Sequence, residues 1–271
     1  MPQLHTVVTP AKGVVDPATA QAMFRMERYL PSPALAPFLD HYWVVEWDLC
    51  GRPPHTQRTL PYPCVNVVFD RGRTAVFGVV TGAFDYVLQE RGRVLGLRFR
   101  AGGFRAFLGK PLVGITDRAV PLSTVFGGDD AACEARVLGA LDDAAMVAAA
   151  DALLLPHLPA ADPMVERIGA VRRLAAETGS VTQAGELAER SGIRLRAMQN
   201  MFREYVGVSP KWVIRRYRLH DAAAALAGGD RVDLAALAQS LGYFDQAHFS
   251  ADFQRLVGQS PAQYRRANGL G

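Results

Sequence analysis

Long apolar runs are missing from this 271-residue chain. The longest stretch that is wholly apolar and uncharged, Ala144 to Ala150, ends at Asp151, far short of the roughly 20 residues that a membrane-spanning helix needs. No membrane partner is expected. Met1 to Ala22 lacks a basic start, an apolar run and a small-residue cleavage site, so the expected location is the cytoplasm. Cysteine is scarce: Cys50, Cys64 and Cys133 are too few and too widely spaced for a disulfide framework or a CxxC-type metal site, and they read as reduced thiols, mostly buried. The six histidines, His5, His41, His55, His157, His220 and His248, never form HxH or HExxH, which removes the local ligands of a metal-dependent barrel enzyme. No metal and no cofactor are expected. With 49% apolar and 21% charged residues the chain is neither disordered nor fibrous.

What is present is unevenly distributed. At roughly 100 to 200 residues per domain the length suggests one large domain or two ordinary ones. Divided near Pro156 to Pro163, the first part is balanced, with 15 Lys and Arg against 16 Asp and Glu, whereas the second holds 15 against 10. A basic domain beside a neutral one fits a nucleic-acid reader joined to a sensing or dimerising module, because phosphate contacts supply most non-specific affinity.

The two parts also differ in periodicity. From Asp40 to Arg100, short β-branched and aromatic runs (HYWVVEWD, CVNVVFD, TAVFGVV, FDYVLQE, RVLGLRFR) are separated by turn signals at Arg71-Gly72 and Arg91-Gly92. Leu95-Gly96 interrupts the alternation of the last run and reads as a bulge. Phe104 to Leu108 reads as a short helix. Ala131 to Leu155 reads as a long Ala-rich one that either closes its own core or pairs with a second subunit. From Met164 onward apolar positions recur at three and four, and about seven short helices fit. The expected class is α+β. A mobile segment, 1–23, precedes a small antiparallel β barrel or sandwich with helices over 24–155. A linker, 156–163, then leads to an all-α domain over 164–271.

That helical part contains an imperfect repeat. Val181 to Arg190, Ser191-Gly192-Ile193, Arg194 to Tyr205 and Val206-Gly207-Val208-Ser209-Pro210 form one copy. Leu234 to Ser240, Leu241-Gly242-Tyr243, Asp245 to Leu256 and Val257-Gly258-Gln259-Ser260-Pro261 form the other. Each is helix, Gly-centred turn, helix, then Val-Gly-x-Ser-Pro. Gly192 and Gly242 suit a turn needing positive φ, Gly207 and Gly258 suit helix C-caps, and Ser-Pro suits an N-cap with Pro at N1. Two helix-turn-helix units joined by one long helix, Lys211 to Leu226, therefore emerge. The second helix of such a unit enters the major groove, so its exposed N-terminal side chains should reach base edges. These are Arg194, Arg196, Gln199 and Asn200 in the first unit and Gln246, His248 and Ser250 in the second. Lys211, Arg215, Arg216 and Arg218 are candidates for phosphate. His248 is one too, with capping or packing as the even alternative.

The stretches SGIRLRAMQNMFREYVGVSPKWVIRRYRL and LGYFDQAHFSADFQRLVGQSPAQYRR resemble the AraC/XylS family of bacterial transcription regulators over roughly residues 164–267. The resemblance implies a seven-helix, two-unit domain that binds double-stranded DNA, with base contacts from Arg196, Gln199, Asn200, Gln246 and Ala247, and RNA polymerase as a partner by analogy. Where the family commonly has a basic residue this chain has Ala251, followed by Asp252, so the second unit is expected to hold phosphate more than to read bases. The N-terminal part resembles a group of the family's sensor halves through Tyr29-Leu30-Pro31, Tyr42-Trp43 and the Phe99 to Phe104 stretch, which implies effector binding or homodimerisation by analogy.

Trp43, Trp47, Phe69, Phe77, Phe84, Tyr86 and Phe99 either line an effector pocket or form plain core. Arg58, Arg98 and Arg100 either bind an anionic effector or sit on solvated strand faces. Cys64, after the apparent exposed turn Pro61-Tyr62-Pro63, is either a reactive thiol or buried and inert. The best-supported reading is a sequence-specific DNA-binding transcription regulator that is not an enzyme. The alternatives are an enzyme with thiol chemistry at Cys64 that its helical half targets to DNA, and a scaffold whose helical half binds protein.

Overall fold

Alternation along the strands creates two unlike sheet faces, and these decide where the rest of the N-terminal part packs. The computed structural model describes residues 4–7, 13–177, 181–228 and 232–268. Eight strands are present among the described residues: β1 (Arg25–Tyr29), β2 (Leu39–Leu49), β3 (His55–Thr59), β4 (Asn66–Phe69), β5 (Ala75–Phe77), β6 (Phe84–Leu88), β7 (Glu90–Phe99) and β8 (Ala119–Val120). Six form one antiparallel sheet in the order β1-β2-β7-β4-β5-β8, and β3 pairs with β6 as a separate ribbon. The antiparallel α+β class is as expected. The sheet stays open, and Tyr86 and Leu88 of the ribbon pack on Trp47, Val68 and Val94, giving a sandwich rather than a closed barrel.

Two glycines set the surface of the sandwiched face. Trp43 lies opposite Gly96 and Trp47 opposite Gly92 across β2 and β7, and a Cβ on either glycine would overlap the facing indole. Gly in a strand interior marks such a close approach. The turn expected at Arg91-Gly92 is therefore strand. The bulge expected at Leu95-Gly96 is absent there; the register slips at Leu39/His41 instead.

The opposite face carries Tyr42, Val44, Val67, Phe69, Leu95, Leu97 and Phe99. It is covered by Phe104, Phe126, Val137, Met146, Val147, Ala150 and Leu154 in one continuous core. The Ala-rich stretch is two helices, not one. Those helices are α4 (Asp130–Leu138) and α5 (Asp143–Leu154), preceded by α1 (Pro17–Met23), α2 (Arg105–Leu108) and α3 (Ser123–Phe126). The break follows from capping: α4 stops at Gly139, and the Asp142 side chain accepts from Ala145 N to start α5. The apolar side of α5 is thus taken up by its own sheet. Arg25 and Tyr29 also hold Asp143 at 2.9 and 2.6 Å. Burying Met146 completely contributes about 1.5 to 3 kcal/mol, whereas a half-exposed ion pair contributes about 0 to 1, so packing fixes α5. Part of the expected mobile segment is structured: α1 is capped by Asp16, and Thr6 and Val14 form bridges to Tyr29 and Thr59.

Among the described residues seven helices follow: α6 (Pro163–Ala176), α7 (Ala184–Arg190), α8 (Leu195–Tyr205), α9 (Pro210–Ala227), α10 (Leu234–Ser240), α11 (Gln246–Val257) and α12 (Pro261–Asn268). They build two cores that share α9. Val213, Ile214 and Tyr217 pack with α6, α7 and α8; Leu219, Ala222 and Leu226 pack with α10, α11 and α12. Val79 and Ala101 join the first core and Val15 and Leu60 the second, so the N-terminal part contributes to both. No described helix is long and apolar enough to cross a membrane.

The glycine windows are testable. Gly96→Ala should destabilise the protein by about 1 to 3 kcal/mol, as overpacking in a filled core does. Gly185→Ala, on an exposed helix position with open space around it, should stabilise by about 0.5 to 1 kcal/mol. Urea unfolding followed by circular dichroism checks both signs.

Candidate nucleic-acid interface

Each helix-turn-helix unit is built from an inward apolar face and a left-handed turn. Gly192 and Gly242 have φ of 66° and 67°, which glycine adopts without the Cβ penalty. A Cβ at Gly242 would also stand 2.6 Å from Thr182 Cγ2. Met198, Met201 and Phe202 of α8, and Phe249, Phe253 and Leu256 of α11, are buried. Ser209 accepts from Trp212 N to cap α9, and Ser260 and Gln263 exchange hydrogen bonds at the start of α12 in a reciprocal capping box.

Those inward anchors leave an outward row on α8. Arg194, Arg196, Gln199 and Asn200 are all exposed. Arg203, also exposed, extends the row by another helical turn; the spacing from Arg196 through Gln199 to Arg203 could have revealed it. On α11, Gln246, Ala247 and His248 are exposed and Ser250 is half-buried. The His248 ring meets Tyr243 edge-on at 5.3 Å, which favours the packing alternative for that side chain. Ala251 is exposed, but Asp252 points inward: Arg215 bonds it through Nε and Nη2, Arg255 donates at 3.0 Å and Tyr243 Oη at 3.4 Å. The acidic charge next to Ala251 is therefore neutralised within the unit.

The expected phosphate contacts need correction. Lys211 is exposed at the start of α9. Arg215 is taken up by Asp252. Arg216 is 3% exposed and donates across the domain seam to the carbonyls of Thr81 and Gly82, with its guanidinium 4.5 Å from the Trp212 ring centroid. Burial, then the charge of Arg215, pulls it down to about 10. Arg218 lies 5.4 Å from the Tyr243 ring, half-buried. Helical spacing gives no warning of this, because the partners come from distant segments.

A cavity of about 330 Å³ lies between the sheet and the ribbon. Trp43, Trp47, Phe77, Phe84 and Tyr86 line it. Phe69 and Phe99 do not, because strand parity turns them to the opposite face and its core. Trp47 Nε1 donates to the Gln89 carbonyl at 3.1 Å, and Tyr86 Oη donates to Asp70 at 3.0 Å. Cys64 is buried in the cavity wall. Pro63 is buried and Tyr62 half-buried, so the turn before it is not exposed. Cys50 is exposed and Cys133 partly so, so the thiols are not mostly buried.

The cavity wall is also the domain seam. Tyr62, part of that wall, stacks on His220 of α9 at 4.2 Å, and the Arg98 guanidinium sits 4.0 Å above Tyr62. Arg58 and Arg100 are not on solvated strand faces: Arg58 binds Asp85 and donates to the Val257 carbonyl at 3.1 Å, and Arg100 pairs with Glu166 at 2.6 Å. Thr116 Oγ1 donates to the Gly207 carbonyl at 2.7 Å, and Arg105 holds Glu204 at 2.9 Å.

Among known proteins, residues 187–267 match the family described as a helix-turn-helix domain, and residues 27–121 match a domain of unknown function, DUF6597. The HTH-type transcriptional activator RhaS of Pectobacterium carotovorum is 30% identical over 81 residues, covering 30% of this chain and 29% of that protein. An AraC-like transcription regulator of Streptomyces antibioticus is 30% identical over 106 residues, covering 39% of this chain and 34% of the other. The crystal structure of an AraC family transcriptional regulator from Rhodopseudomonas palustris is 22% identical with a TM-score of 0.35, covering 39% of this chain and 99% of that one. The chain thus spans about a third of the length of these curated relatives.

The Asp252 knot predicts a difference between its two arginines. Asp252→Ala strands the half-buried Arg215 and should cost about 2 kcal/mol of stability. Arg255→Ala, which removes a partner whose side chain is 69% exposed, should cost under about 1 kcal/mol. Equal losses in chemical denaturation would contradict this assignment.

Proposed function

We propose that the protein is a sequence-specific, DNA-binding transcription regulator whose C-terminal part is a double helix-turn-helix domain of the AraC/XylS family. The observation that carries this reading is the exposed row Arg194, Arg196, Gln199 and Asn200 on α8, held on an apolar face by Met198, Met201 and Phe202. Arginine forks pair with guanine, and amides pair with adenine, in the major groove. The second unit presents Gln246 and Ala247 to the duplex and is the weaker reader. Helix α9 has 18 residues, about 27 Å at the α-helical rise, so the two units can address groove segments about one duplex turn apart.

In this reading residues 24–155 are the sensing part and 164–271 the DNA-binding part. The cavity takes a small effector, and Tyr62 on His220 carries its occupancy to the helix that both DNA-reading units share. RNA polymerase and a second copy of the chain are the further partners, activation is the output that the RhaS resemblance favours, and the cytoplasm is the location. Thiol chemistry is not favoured, because Cys64 is buried and its sulfur meets Asn66 Nδ2 at 3.8 Å.

Selection from random duplexes at about 0.15 M salt, where non-specific binding is partly screened, should return a motif spanning two major-groove contacts. Arg196→Ala and Gln199→Ala should each lower the ratio of specific to random binding by about 1 to 3 kcal/mol, whereas Lys211→Ala should weaken all duplexes alike. Fluorescence anisotropy with the selected and a scrambled duplex measures the ratio. Retention without any motif, or equal losses on both duplexes for all three variants, would overturn the reading.

A further inference from the structure

One crevice at the domain seam holds more positive charge than its nearby carboxylates, Asp40 and Glu166, neutralise. A small crevice beside the aromatic cavity is bounded by Asp40, Arg98, Arg100, Arg172, Arg173 and Tyr217, and the two spaces share Cys64 and Arg98. Arg100 is matched by Glu166. Arg172 has a neutral partner, donating to Tyr217 Oη at 3.0 Å. The nearest carboxylate oxygen to Arg98, on Asp40, is 3.8 Å from Nε, beyond hydrogen-bond reach. That same Asp40 is already held by His41 at 3.0 Å. Among the described residues no acceptor is within hydrogen-bond distance of the Arg98 guanidinium, although its side chain is only 21% exposed. Arg28 adds to the excess: burial and then the charge of Arg98 push its guanidinium down.

A guanidinium taken out of water without a bonded anion is costly, and its planar fork fits a carboxylate through two parallel hydrogen bonds. The wall that continues from Arg98 is aromatic, formed by Tyr62, Trp43, Trp47, Phe84 and Tyr86. Its cavity, about 330 Å³, has room for a body of one or two rings. Resting on the effector reading above, we infer that the ligand is an organic monocarboxylate with an apolar ring-containing body in the cavity and its carboxylate on Arg98, facing Arg172. A neutral ligand of the same shape leaves the Arg98 charge unmatched. Inorganic phosphate matches the charge but not the aromatic walls. Because Arg98 rests on Tyr62, and Tyr62 on His220, the carboxylate binds at the joint between the sheet and α9.

Isothermal titration of the full-length protein with 2-naphthoate, its neutral isostere 2-naphthamide, and inorganic phosphate tests this. The acid should bind at least about tenfold more tightly than the amide, the difference expected of one charge-assisted pair, and phosphate should not displace it at equal concentration. Arg98→Met should bring the acid down to the level of the amide and leave the amide unchanged. Arg98→Lys, which keeps the charge but loses the fork, should fall between. Equal affinity of acid and amide for the unsubstituted protein overturns the carboxylate assignment and leaves the effector cavity standing. Displacement by phosphate reassigns the anion to a free oxyanion. Binding of neither ring compound overturns the ring-containing body and the effector reading together. If Arg98→Met fails to fold, the acid-to-amide ratio of the unsubstituted protein decides alone.

Discussion

Helix α9 is the constraint on which the rest of the structure depends, because one 18-residue helix has to bury side chains on nearly every side. Val213, Ile214 and Tyr217 complete the first helical core, Leu219, Ala222 and Leu226 complete the second, and Arg216 and His220 meet the N-terminal domain. A helix so occupied cannot slide or rotate relative to one neighbour without disturbing the others, since packed interiors have little slack. Two of its polar residues are engaged accordingly. Arg216 satisfies two backbone carbonyls in the seam, and the Tyr217 hydroxyl receives Arg172. The domains are thus joined by contacts that are polar at the seam and apolar at its ends, where Val79, Ala101, Val15 and Leu60 enter the helical cores.

Local patterns were legible in the residues, and long-range commitments were not. The repeated Gly-centred turn and the Val-Gly-x-Ser-Pro coda located both helix-turn-helix units, because turn chemistry and capping act over a few residues. Strand runs are legible where β-branched and aromatic residues cluster, whereas β1, β3 and β8 carry charged or short sequences that give no such signal. Parity along β4 and β7 could have separated Phe69 and Phe99 from Trp43 and Tyr86, had the register been known. Gly92 and Gly96 looked like a turn and a bulge because their reason, the indoles of Trp47 and Trp43, lies on another strand. Arg58, Arg98 and Arg100 stayed open between solvated faces and an anionic effector, and Arg216 read as a phosphate contact, for the same reason. An arginine in a sequence carries no mark of the distant carbonyl or ring that claims it.

The two units differ more in charge than in construction. Both use a left-handed glycine turn and an apolar inward face, yet α8 presents Arg194, Arg196 and Arg203 outward, whereas α11 presents Gln246, Ala247 and His248. The acidic residue of α11 does not deepen this contrast, since Asp252 is folded inward against Arg215 and Arg255. What distinguishes α11 at the duplex is its lack of long donors rather than repulsion. In the proposed reading the second unit adds contact area and orientation while the first supplies most base readout, a division expected from side-chain reach.

The positive excess of the C-terminal part also overstates what faces DNA. Arg215, Arg216 and Arg218 are occupied by Asp252, by the Thr81 and Gly82 carbonyls and by the Tyr243 ring, so they release few counterions on binding. In the proposed reading the salt dependence of association is set by the cations that remain exposed, among them Arg194, Arg196, Arg203 and Lys211 at or just after the first unit and Arg255 and Arg266 in the second. In that reading base readout is concentrated at the N-terminal end of α9. Both ends of α9 are tied to the N-terminal part: Thr116 and Arg105 hold Gly207 and Glu204 beside the first unit, and Arg58 reaches the Val257 carbonyl at the close of α11. In the proposed reading, a change in the cavity wall that moved Tyr62 against His220 would act on the helix both units share, and so on their placement relative to one another and on the operator spacings the protein accepts.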